Sequence, residues 1–139
     1  MAESSNSSDS AYREQIMDHY RNPRNKGHLQ EFSFKQVENN PLCGDELEIE
    51  VKLDGEIISD IKFSGKGCSI SQASASMLTE FVKNKKINEV NELTREDIIE
   101  MLGIPIGPVR IKCAVLSLVA LKNGIREFEN TFSEGKNGQ

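Results

Sequence analysis

Three cysteines, Cys43, Cys68 and Cys113, are the residues of this 139-residue chain best suited to chemistry. Each stands where one local pattern gives way to another. Cys43 lies in Pro41-Leu42-Cys43-Gly44-Asp45, the loop feeding a strictly alternating segment, and Cys68 follows Gly65-Lys66-Gly67, where a helical pattern begins. Cys113 follows a proline-rich loop, in what reads as the first turn of the last helix. Helix N-termini offer unpaired N–H groups and partial positive charge, which favour thiolate over thiol. Lys66 and Lys112 add positive charge nearby. One cysteine alone is as often a small buried hydrophobe; three at such junctions point to metal ligation.

Asp45 joins the set by position. Gly-Asp is ordinary turn chemistry, but Asp45 is two residues from Cys43 across a glycine, so its carboxylate can reach the same point in space. Three thiolates and a carboxylate make four ligands. That number closes a tetrahedral zinc site, or gives two ligands to each iron of a [2Fe–2S] cluster. Electron carriers normally use four cysteines, whereas a hard carboxylate grips iron–sulfur units less firmly. A site with one weak arm suits a cluster that must leave.

The remaining polar residues are read more plainly. His19 falls on an amphipathic helix and His28 in a polar loop, and neither is taken as a ligand. Ser69, Ser71, Ser74 and Ser76 have no histidine or acid at triad-like spacing and are taken as small residues permitting close helix packing. Gly65-Lys66-Gly67 matches neither the P-loop nor the dinucleotide pattern. With no histidine placed beside a cysteine, nucleophilic catalysis is disfavoured, and the chain is read as non-enzymatic.

The elements that must position these ligands follow from periodicity. Tyr12, Ile16, Met17 and Tyr20 recur at helical spacing from about Ser10, and Arg21 to Gly27 ends that helix with turn chemistry. Phe32 and Phe34 weakly suggest a strand. Leu47, Ile49, Val51 and Leu53 alternate with charged residues, as in a strand with one wet face. Asp54-Gly55 is expected to form the two-residue hairpin turn, with Ile57, Ile61 and Phe63 on one face of the return strand. Ser69 to Val82 reads as a helix. A shorter one opens at Thr94, whose spacing to Asp97 resembles a capping box, and stops at Gly103. The last helix is expected from about Ile111 to Phe132, with Ala114, Leu118, Leu121, Ile125 and Phe128 buried. The expected fold is α+β: a small antiparallel sheet of about three strands, helices packed on one face, and a metal site at the sheet end.

Bulk properties bound the function. The chain length suits a single domain, expected over residues 11–132, with disordered tails at 1–10 and 133–139. A net charge of −5 gives no general pull toward nucleic acid or anionic lipid, and no apolar run is long enough for a membrane span. Three cysteines cannot all pair, and residues 1–10 lack the apolar region of a secretory signal. A reducing, cytoplasmic compartment is the expectation.

Several segments together resemble the iron–sulfur cluster assembly scaffolds, the group of IscU, SufU and the N-terminal domain of NifU. They are Asp18-His19-Tyr20-Arg21-Asn22-Pro23, Asn40-Pro41-Leu42-Cys43-Gly44-Asp45, Phe63 through Cys68 to Ser76, and Pro108-Val109-Arg110-Ile111-Lys112-Cys113. The resemblance spans about residues 11–130. It implies that Cys43, Asp45, Cys68 and Cys113 hold a [2Fe–2S] cluster or its iron, with zinc in the cluster-free form. It also implies a cysteine desulfurase as sulfur donor and apo iron–sulfur proteins as acceptors. Whether a homodimer shares the cluster is left open. Two departures stand out. Lys112 occupies the position where IscU proteins usually carry histidine and looks like SufU, yet the short interval from Cys68 to Cys113 leaves no room for the insertion typical of SufU. The Leu-Pro-Pro-Val-Lys segment that specialised chaperones recognise in IscU reads here Ile106-Gly107-Pro108-Val109-Arg110, so chaperone dependence is not carried over. The expected function is a scaffold that assembles and hands on a [2Fe–2S] cluster. Alternatives are a zinc-bound sulfur acceptor, with Lys112 steadying thiolate or persulfide by charge, and a redox protein with a permanent cluster.

Overall fold

The alternating segment folds as a strand because its apolar residues all face one way. In the computed structural model, which describes residues 2–137 and the side chains of 10–131, three strands form an antiparallel sheet in the order β1 (Phe34–Asn40), β2 (Asp45–Asp54), β3 (Ile57–Lys66). Leu47, Ile49 and Val51 of β2 are completely buried with Ile61 and Phe63 of β3, while Glu46, Glu48 and Lys52 line the opposite face. The hairpin turn differs from expectation by one residue. Asp54 pairs with Ile57, so the turn is Gly55-Glu56, with Gly55 at φ 63 as its first central residue. Glycine belongs there because that position requires positive φ.

A β-bulge explains the second difference. Lys52 pairs with Asp60 but Leu53 with Ile58, leaving Ser59 as an extra residue on β3. One inserted residue inverts the in–out alternation. Ile58 is therefore buried and Ile57 is 40% exposed.

Among the described residues five helices accompany the sheet: α1 (Ala2–Arg21), α2 (Ser69–Val82), α3 (Ile87–Asn91), α4 (Arg95–Leu102) and α5 (Pro108–Asn137). Helices α2 and α5 pack on the apolar face of the sheet, and α1 packs on α2. Helix α2 has the limits expected from its periodicity. Helix α4 is capped by Thr94, whose Oγ accepts the Asp97 N–H at 3.3 Å, and ends on Gly103 in the left-handed region. Helix α3 was not anticipated, being too short to show a period. Helices α1 and α5 extend further outward than the expected limits. The tails expected at 1–10 and 133–139 fall almost entirely on residues whose side chains lie outside the description.

On α1 the buried face carries Ile16 and His19, whereas Tyr12 and Tyr20 are 38% and 43% exposed. His19 Nδ1 lies 2.7 Å from Ser76 Oγ, which also accepts the Arg24 N–H at 2.8 Å. The buried serines of α2 thus do more than save space: Ser74 also donates to the Ala114 carbonyl of α5. After α1 the chain bonds to β3 through Asn25 and Gly27, whose backbone groups meet Phe63. It then crosses the polar face of the sheet to β1. Glu50, on that face, is buried because this crossing covers it: its carboxylate accepts the Leu29 N–H at 2.6 Å and faces His28 Nδ1 at 3.2 Å.

Candidate metal centre

Antiparallel pairing brings the cysteine loops to one end of the sheet. Asn40 pairs with Asp45 and Glu46 with Lys66, so the β1–β2 connection carrying Cys43 lies beside the exit of β3 that leads to Cys68. Gly44 turns the first loop at φ 72. Gly67 is needed for closeness: a Cβ there would come within 2.8 Å of Asp45 Oδ1 and would strike the Ser71 hydroxyl.

Cys68 is the N-cap residue of α2, as its sequence position suggested. Its own side chain does not cap the helix. Asp45 does this instead, accepting the Cys68 N–H on Oδ1 at 3.1 Å, while Oδ2 lies 4.0 Å from Cys68 Sγ. Asp45 is only 2% exposed. A carboxylate at a helix N-terminus meets orphan N–H groups and the positive end of the helix dipole.

Cys113 departs from expectation. Helix α5 begins at Pro108, a residue suited to the first helical position because the missing N–H costs nothing there. Cys113 consequently lies in the second turn and is 1% exposed, so the helix N-terminus does not favour its thiolate. Burial, then the neighbouring Cys43 and Asp45, and finally the charge of Cys68, push its thiol well above the ordinary 9.0.

The donor atoms nonetheless converge. Cys113 Sγ lies 3.0 Å from Cys43 Sγ, with all three cysteines as free thiols. Ligand atoms of Cys43, Asp45 and Cys113 fall within 4.8 Å of one another, and Cys68 joins through Asp45. Three sulfurs and a carboxylate fit a zinc or iron ion by donor type and number. Their crowding also fits a cation: the same proximity that holds the Cys113 proton on would stabilise a positive ion in its place. Access is graded, with Cys43 exposed, Cys68 half-buried and Cys113 buried.

Lys112 is exposed and lines a groove of about 290 Å³ with Asn39, Asn40, Pro41, Leu42 and α5. A larger cavity, about 430 Å³, lies beside Ser69, between α1 and the loop from Ile104 to Gly107. A second group of donors, His28, Glu48 and Glu50, also falls within 4.8 Å; its bonds account for it as the anchor of the crossing segment, with Lys35 Nζ 3.8 Å from Glu48. Sequence reasoning missed Asn40. Its side chain is buried and its Nδ2 donates to Cys113 Sγ at 3.6 Å. The signal available was Asn-Pro two residues before a ligand, a pair that opens turns.

Comparison with known proteins gives consistent matches. The family described as "NifU-like N terminal domain" matches residues 11–134. A Bacillus subtilis (strain 168) protein named zinc-dependent sulfurtransferase SufU is 44% identical over 138 residues, covering 87% of this chain and 93% of that protein. The Escherichia coli (strain K12) iron–sulfur cluster assembly scaffold protein IscU is 37% identical over 129 residues, covering 86% and 95%. Among solved structures, an iron–sulfur scaffold described for the SUF system of Fervidobacterium islandicum AW-1 aligns with TM-score 0.71 at 27% identity, covering 81% of this chain and 94% of that one.

Proposed function

Because the chain belongs to the NifU-like N-terminal domain family, we propose that it is a non-enzymatic scaffold on which a [2Fe–2S] cluster is assembled and then passed to apo acceptor proteins. The observation that carries this reading is the mixed donor set at the sheet end, in which Asp45 stands among three thiols. Cys43, Asp45, Cys68 and Cys113 would hold the iron. A carboxylate is the arm an acceptor thiolate displaces most readily. Sulfur arrives from a cysteine desulfurase, and Cys43, the exposed thiol, is the one a partner's loop can reach. Its thiolate attacks the outer sulfur of the donor persulfide; a new S–S bond forms and the desulfurase cysteine leaves as thiolate. Lys112, exposed beside the Cys43 loop, supplies positive charge to the incoming anionic sulfur.

A second reading has its own support. Three donor atoms, of Cys43, Asp45 and Cys113, lie within 4.8 Å of one another, and Cys68 Sγ, 4.0 Å from Asp45 Oδ2, is at hand as the fourth ligand of a tetrahedral ion. The Bacillus subtilis relative is named a zinc-dependent sulfurtransferase. In that case zinc holds the thiolates until a desulfurase delivers sulfur to one of them. Metal and acid-labile sulfide analysis of anaerobically purified protein, followed by reconstitution with ferrous iron, cysteine and a desulfurase, separates the two. Persulfide is read before, and cluster after, a dithiol reductant is added to take persulfide sulfur to sulfide. Brown protein that bleaches as apo-ferredoxin gains its spectrum supports the scaffold. Colourless protein that keeps one zinc and accepts persulfide without building a cluster supports the sulfur acceptor and overturns the first reading.

A further inference from the structure

We propose that Asn40 is the positioning residue of the metal centre, fixing the Cys113 sulfur by a hydrogen bond while its backbone shapes the Cys43 turn; this rests on the metal-site reading above. Asn40 ends β1 directly opposite Asp45 and is 5% exposed. Its backbone carbonyl accepts the N–H groups of Cys43 at 3.2 Å and Gly44 at 2.8 Å. Its side chain works in two directions. Oδ1 accepts the Leu42 N–H at 3.3 Å, and Nδ2 donates to Cys113 Sγ at 3.6 Å. The two ends of the amide are not interchangeable. The Leu42 N–H is a donor and requires the oxygen, which leaves the NH₂ group facing the sulfur.

One residue therefore touches three of the four ligands: Cys43 through the turn, Asp45 across the strand pair, and Cys113 through its amide. A metal-bound thiolate is an electron-rich acceptor, and an N–H bond to it is charge-assisted. Such a bond both orients the sulfur and withdraws density from it. Groups in this outer position commonly change metal affinity by about 10–100-fold when lost. Cys113 needs one, because burial keeps water from its sulfur.

A purely structural role makes a different prediction. The Oδ1 to Leu42 bond closes an ordinary Asx-turn, which serine imitates through its hydroxyl. Serine keeps that acceptor but is too short to bring a donor to the sulfur. Cobalt(II) alone serves as probe, titrated against a chelator, with Asn40→Ser and Asn40→Ala compared to the unaltered chain. The expected result is that both variants bind cobalt about tenfold or more weakly, and that the sulfur-to-cobalt charge-transfer band moves to longer wavelength in both. Wild-type affinity and band position in Asn40→Ser would overturn the proposal, whether or not Asn40→Ala is impaired. If the unaltered chain gives no sulfur-to-cobalt band, the metal-site reading itself fails. A measurement on the unaltered chain guards against variants that do not fold. Loaded with a spin-half cadmium isotope, it should show scalar coupling from the Asn40 side-chain amide proton to the metal through sulfur. Absence of that coupling in protein that has bound cadmium overturns the role of Asn40.

Discussion

At the scale of single residues, Asp45 carries two duties that pull against each other. Its Oδ1 caps α2 through the Cys68 N–H, and its Oδ2 points toward the thiols. As the hard member of the donor set it is the arm that should open first. Asp45→Cys replaces it with a firmer ligand, so that variant should hold a [2Fe–2S] cluster longer and donate it to apo-ferredoxin more slowly than the unaltered chain. The rate at which cluster absorbance moves to the acceptor checks this, and equal rates would reduce Asp45 to its capping role. The cap has a cost of its own. Asp45→Ala should lower the stability of the metal-free protein by about 1 kcal/mol through loss of the helix N-terminal partner, measurable by urea unfolding.

Among elements, the contact of α1 with α2 turns on His19. Buried and 2.7 Å from the Ser76 hydroxyl, its imidazole has its pKa lowered from 6.5, first by burial and then by the nearby Arg24 charge. Because Ser76 accepts the Arg24 N–H, its hydroxyl proton is free to go to the neutral His19 Nδ1. A histidine depressed in the folded state contributes stability that is present above 6.5 and is lost as pH falls through its folded value. Between those limits the unfolded chain binds the extra proton, and stability should decline by up to about 1.4 kcal/mol per pH unit from this group. Urea unfolding of metal-free protein across that window should show the decline, and His19→Gln, which cannot titrate, should flatten it. An unchanged slope in the variant would remove His19 as the cause.

For the whole molecule, the metal centre joins the sheet end, α2 and α5, so an ion bound there ties the fold together. A ligand that binds only the folded state adds about 2.7 kcal/mol at a free concentration one hundred times its Kd. Zinc should therefore raise the unfolding midpoint, and Cys113→Ala should abolish most of the increment. Metal-free protein should behave oppositely with alkali. Its Cys113 thiol is held protonated by burial, whereas the unfolded chain releases that proton near the ordinary 9.0. A thiol raised in the folded state contributes stability that is full below the unfolded value and is lost as pH rises past it. Unfolding free energy without metal should therefore fall above about pH 9, and Cys113→Ala should lack that fall.

Sequence alone determined what depends on local order. The alternation around Leu47–Leu53, the period of Ser69–Val82, the cap at Thr94 and the stop at Gly103 are decided by neighbours along the chain, and each appeared where the pattern put it. The nearness of the Cys43 loop to the start of α2 follows too, because antiparallel pairing of β1, β2 and β3 carries both loops to one end, where Asp45 Oδ2 lies 4.0 Å from Cys68 Sγ. Tertiary structure decided the rest. The bulge at Ser59 inverted the face of Ile57 and Ile58, an outcome no period can announce because it breaks the period. His19 rather than Tyr20 faces α2 because Ser76, 57 residues away, offers its ring a hydrogen-bond partner. Pro108 began α5 a turn early and sank Cys113 into the core, so its thiol is governed by burial and its neighbours rather than by a helix end. Asn40 meets Cys113 across 73 residues of chain. A hydrogen bond over that distance exists only once β1 and α5 have packed, since amide and sulfur carry no mark in sequence of which partner each will find.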